Sequence, residues 1–127
     1  MQAERRPATP EERALVEWLL TRATVGPEYQ PFLTQIAMLR VVAKCGCGCP
    51  SVDFQPHGQA SGATIVAHAF GVAPEGTAVG VLLWARASHL SGLEVYGREA
   101  TQSFTLPRPG DLRPASGGSP AAPGPAS

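Results

Sequence analysis

The chain has 127 residues, with ten basic side chains balanced by ten acidic ones and 43% hydrophobic residues. That length allows one domain, and the charge balance leaves no basic footprint for nucleic acid or an anionic membrane. Nine Arg and one Lys (Lys44) are scattered, with Arg5-Arg6 the only adjacent pair, and no apolar run approaches the roughly 20 residues that span a bilayer.

The opening MQAERRPATPEER is polar and has no apolar core of the kind a secretory signal needs, so a cytoplasmic location with reduced thiols is expected. Residues 1–8 read as a flexible N-terminus. Thr9-Pro10-Glu11-Glu12 starts a helix: Thr9 caps, Pro10 presets φ at the first helical position, and Glu12 completes a capping box. Leu15, Trp18 and Leu19, flanked by Val16 and Leu20, give the apolar face, and the helix should stop before Gly26.

A second helix is predicted over 30–38, with Phe32, Leu33 and Ile36 on one face and Pro31 in its first turn. From Leu39 the period changes to two. Leu39, Val41, Ala43 and Cys45 point one way while Arg40, Val42 and Lys44 point the other, which reads as a strand. Further strands are expected at Val52 and Phe54, over 63–70, over 78–86 as a central strand apolar on both sides, and over 90–96, with an edge segment at 101–106. Short connections favour neighbouring antiparallel strands.

The expected fold is therefore α+β: an N-terminal αα-hairpin packed on a largely antiparallel meander sheet of four or five strands. The single domain spans 9–106. Residues 107–127 hold six of the thirteen prolines and almost no large apolar side chain, so they read as a disordered tail.

All three cysteines alternate with glycine in Cys45-Gly46-Cys47-Gly48-Cys49-Pro50. Thiolates are soft ligands suited to zinc or Cu(I), and the glycines let the sulfurs converge in a turn; an extended segment would also put them on one face. His57 is the candidate fourth ligand, with His68 and His89 as alternatives after folding, since three Cys and one His form an accepted structural-zinc set. The C-x-C spacing differs from the usual C-x₂-C knuckle, and no second ligand pair follows.

The same thiols could perform disulfide exchange, which needs a nearby positive charge to lower a thiol pKa; Lys44 is adjacent in sequence, but it and Arg40 lie on the strand face opposite Cys45. Cysteine also packs as a small hydrophobe, and this packed-thiol reading stands first. Asp53 lies near Cys49 and His57 in sequence, but catalytic triads are assembled in space and not by sequence closeness. Trp18 and Trp84 read as core anchors.

The order TPEERALVEWLL, LRVVAKCGCGCPSV and VGVLLWARASHLSGLEVYG resembles a group of short bacterial domains of unknown function. These open on a TPEER..L..LL helix and close on an L..LEVY strand, and the likeness covers about residues 7–106. The resemblance implies no activity, cofactor or catalytic residue. Some small domains of this kind bind protein partners, as immunity proteins neutralise toxins, and that is an analogy of fold only.

No nucleophile–base pairing, paired carboxylates or nucleotide loop is present in the sequence. The leading expectation is a non-enzymatic domain that binds a protein partner or forms a homodimer. The alternative is a zinc, copper or redox site at Cys45, Cys47 and Cys49.

Overall fold

A computed structural model describes residues 2–23, 25–98 and 103–115. Strand β1, Gln2–Pro7, leads into helix α1, Pro10–Arg22. A run of 3-10 turns over Pro27–Met38 follows, then β2, Arg40–Lys44, and the two-residue β3, Val52–Asp53. Three nine-residue strands come next: β4, Thr64–Val72; β5, Ala78–Arg86; and β6, His89–Gly97. A short 3-10 turn at Pro109–Asp111 precedes β7, Leu112–Pro114. One sheet holds all seven strands in the order β1-β2-β3-β6-β5-β4-β7, and every neighbouring pair is antiparallel.

The mixed α+β class and the antiparallel β4–β5–β6 meander agree with the sequence. The strand count does not. Residues 2–7, expected to be flexible, pair with β2, and Ala69, Phe70 and Gly71 pair with Pro114, Arg113 and Leu112, which were expected in the tail. Both added strands sit at sheet edges, where backbone hydrogen bonds to one neighbour suffice and no apolar alternation is required. The edge strand expected at 101–106 is absent over 103–106, where Thr105 instead donates to the Glu75 carboxylate, and 101–102 lie outside the described residues, as do 116–127 of the expected tail.

The predicted second α-helix is also corrected. Tyr29 N–H bonds Gly26 O at 3.1 Å and Leu39 N–H bonds Ile36 O at 3.2 Å, both three residues back. Pro27 and Pro31 lack N–H groups and so cannot donate to an α-helical ladder, and the segment takes the tighter winding.

Helix α1 starts as read. Thr9 Oγ1 accepts from Glu12 N–H at 3.0 Å, and Glu12 Oε1 accepts from Thr9 N–H at 2.9 Å. Arg6 on β1 then donates to both Glu12 oxygens, each at 2.9 Å, so one carboxylate caps the helix and ties it to the edge strand. Leu15, Val16, Leu19 and Leu20 of α1 are buried in the same core as Val41, Val66, Val79, Val81, Leu83, Leu93 and Val95 of the sheet. Trp18 packs against that core; Trp84 does not belong to it, and its indole N–H donates to Glu94 at 3.2 Å. No helix among the described residues is long and apolar enough to cross a membrane.

Burial pushes the Glu12 carboxyl up, but Arg6 and the Thr9 N–H hold it, on balance, below the ordinary carboxylate value. A depressed folded-state pKa contributes stability that is present above the unfolded value and lost as pH falls through the folded one. Glu12→Gln, which keeps a capping amide oxygen, should therefore cost about 1–2 kcal/mol at pH 7 and progressively less in urea titrations below about pH 4. A difference that does not change with pH would contradict this account. A chain ending at Ala115 should likewise exceed one ending at Leu106 in unfolding free energy, by roughly 1–3 kcal/mol for the lost β7 pairing and Leu112 packing; equal melting would show β7 to be idle.

Candidate metal centre

Strand β2 ends at Lys44, and the chain turns back through Cys45–Pro50 to reach β3. Cys45 N–H bonds Ser51 O at 3.1 Å across the base of this turn, and Gly48 N–H approaches Cys45 O at 3.5 Å within it. Gly48 has φ +99°, a backbone state that side chains with a Cβ rarely adopt, and no atom lies within 4 Å of where its Cβ would be. Its glycine serves the backbone path, not a tight contact.

The base of the turn is anchored from the core. Ser51 is buried; its hydroxyl accepts from Val95 N–H at 2.8 Å and donates to Val95 O at 3.1 Å. Cys49 Sγ sits 3.5 Å from the same hydroxyl. On the other side, Lys44 Nζ pairs with Glu4 of β1 at 3.2 Å.

The turn gathers the sulfurs. The Sγ atoms of Cys45, Cys47 and Cys49 all lie within 4.8 Å of one another, and all three thiols are free. Cys45 and Cys47 sulfurs are 2.7 Å apart. Cys47 N–H points at Cys45 Sγ and Cys49 N–H at Cys47 Sγ, each at 3.5 Å. Cys47 is exposed, while its two neighbours are half-buried.

This arrangement splits the thiols electrostatically. The Cys45 S–H, donating to Cys47, and the Cys49 backbone N–H bring the Cys47 thiol down to about 7. The same sulfur–sulfur bond, with some desolvation, pushes Cys45 up to about 11. The lowering comes from hydrogen bonds to sulfur; the Lys44 cation expected to supply it is engaged with Glu4.

None of the histidines joins the cluster. Among the described residues, no fourth His, Asp or Glu donor lies within that distance of all three sulfurs. His57 lines a separate cavity of about 340 Å³ with Arg5, Val42, Asp53 and Pro56, and its carbonyl accepts from Arg86 at 2.7 Å. His68 Nε2 lies 3.0 Å from the Tyr96 hydroxyl, and His89 is exposed at the start of β6. Asp53 is buried, with burial raising its carboxyl; it accepts from Gly58 N–H at 3.3 Å and Gln59 Nε2 at 2.9 Å, the work of a loop cap. Ser51, the residue that fixes the cluster, carried no signal in the sequence beyond its place after Pro50.

The sulfur set fits a thiophilic ion. Tetrahedral zinc with bonds near 2.3 Å places its sulfurs about 3.8 Å apart. The 2.7 Å pair would open by roughly 1 Å to reach that spacing, within reach of side-chain rotation at an exposed turn. No protein-family model, curated protein or solved structure matches this chain.

Alkylation separates the thiols. Cys47 should react first with iodoacetamide, its rate rising with pH through a midpoint near 7 as thiolate forms, and Cys47→Ser should remove that fast phase. A fast phase that survives in Cys47→Ser would assign the reactive thiolate elsewhere.

Proposed function

We propose that this chain is a thiophilic-metal-binding domain in which the Cys45, Cys47 and Cys49 thiolates hold one zinc or Cu(I) ion at the tip of the β2–β3 hairpin. The observation that supports the reading is the convergence of all three sulfurs within 4.8 Å on a turn whose base is fastened to the core through Ser51. Packed thiols would instead be expected inside the core, and none of the three belongs to it. Disulfide exchange needs an attacking thiol and a resolving one; a third convergent sulfur is explained by ligation and not by exchange.

A partner-binding role is a second reading, and its support lies at the other end of β2. Met38 is 82% exposed beside a groove lined by Leu39, Phe54 and Leu90. This surface and the thiol tip are at opposite ends of the hairpin strand and do not exclude one another.

Elemental analysis of protein purified without an affinity metal column tests the metal reading, paired with a native thiol count. The expected result is about one zinc or copper per chain, with three thiols protected until a chelator is added. Protein that carries no metal, takes up neither ion on titration and leaves all three thiols reactive in the presence of either would defeat it.

A further inference from the structure

Resting on the reading of Cys45, Cys47 and Cys49 as one ligand set, we infer that the site, beyond zinc or Cu(I), takes trivalent arsenic as a three-coordinate centre, with arsenite as its ligand. The argument begins with the count of donors. Three sulfurs converge, and no His, Asp or Glu among the described residues completes a fourth position. Ser51 Oγ, 3.5 Å from Cys49 Sγ, already bonds the Val95 N–H and carbonyl. Zinc in a closed protein site takes four ligands, so here it would keep water at an exposed tip. Trivalent arsenic carries a lone pair in that position. Three thiolates complete its shell, and the lone pair can face solvent beside the exposed Cys47.

Charge points the same way. Three thiolates with Cu(I) leave a net charge of two minus, and with zinc one minus, whereas trivalent arsenic gives a neutral centre. The adjacent cation, Lys44, shares Glu4 with Arg6, which also pairs with Glu12, so these two cations are matched by two carboxylates and add no net charge beside an anionic complex. A neutral centre meets no such repulsion.

The reaction balances without an oxidant or reductant. Arsenous acid exchanges its three hydroxyls for three thiols: three As–O bonds break, three As–S bonds form, and the thiol protons leave with the hydroxyls as three waters. Arsenic stays trivalent and each sulfur keeps its oxidation state. Counted from three protonated thiols, no net proton is released, in contrast to zinc, whose binding to thiols expels protons.

Titration of the reduced full chain with arsenite, in parallel with Zn(II) and Cu(I), tests the inference. Stoichiometry, protected thiols and proton release in weakly buffered solution are the readouts. One arsenic per chain, three protected thiols and no net proton release are expected. Each of Cys45→Ser, Cys47→Ser and Cys49→Ser should weaken arsenite about a hundredfold, the scale of losing one arm of a chelate, with thermal melts confirming that the variants fold. If Cys49→Ser, the variant nearest the core, fails that control, Cys47→Ser at the exposed tip carries the comparison. Protection of only two thiols, or unchanged arsenite affinity in a folded variant, would overturn the three-sulfur assignment. Binding of Zn(II) or Cu(I) through all three thiols with no arsenite uptake would overturn this inference and leave the metal-binding reading intact; protection by none of the three ions would end both.

Discussion

The sheet depends on a strand of two residues. Val52 and Asp53 join the β1–β2 pair to the larger β6–β5–β4–β7 block, through register pairs with Ala43 and Lys44 on one side and Gly92 and Leu93 on the other, with Phe54 N–H adding a bond to Ser91 O at 2.8 Å. So short a ladder is weak by itself. Ser51 extends it with a side chain: its hydroxyl satisfies both backbone polar groups of Val95, the next inward-facing residue after Leu93 on β6. Buried N–H and C=O groups left unpaired cost about 1–3 kcal/mol each, more than an intact hydrogen bond contributes, so this one hydroxyl matters beyond its size. Asp53 works at the other end of β3, accepting from Gly58 and Gln59 and pinning the 54–63 loop against the sheet.

The thiol tip inherits its geometry from this splice. Its first residue leaves β2 at the Lys44–Glu4 pair, and its last enters β3 at the Ser51 clamp. Between these fixed ends, glycines relax the backbone, and amide groups point at the sulfurs two residues before them. The cysteines are thus positioned by chain path and not by packing. That arrangement leaves the three sulfurs free to adjust their spacing by side-chain rotation.

How much of this was legible follows from what each element needs. Helix α1 was readable to its cap because Thr9 and Glu12 carry the local chemistry of a capping box, and β4 to β6 because a buried strand must be apolar. Strands β1 and β7 were not, because QAERRP and LRP hold edge positions by backbone bonding and, for β1, by Arg6 reaching Glu12. The 3-10 run was masked by an apolar spacing that suits either winding; Pro31 was the clue, read as a first-turn residue when it lies inside the segment. Trp84 has the bulk and hydrophobicity of a core anchor, yet alternation along β5 puts it on the opposite face from Leu83 and Ala85. At the site, the cysteine cluster was visible as composition. The exclusion of His57 was not, since the loop carrying it folds over a different cavity.

The relation between site and fold finally separates this domain from small metal-stapled ones. A zinc finger folds only with its metal because its chain cannot bury enough apolar surface alone. Here α1 and the sheet form one continuous core, from Leu15 and Leu19 to Val81, Leu83 and Leu93, and no cysteine is part of it. An ion bound at the hairpin tip would therefore have little folding free energy to supply. Its binding would be coupled to the arrangement of six residues between two anchored strands, so it could arrive and leave without unmaking the domain. The exposure of Cys47 leaves one face of that turn open to solvent, while the core beneath it stays closed.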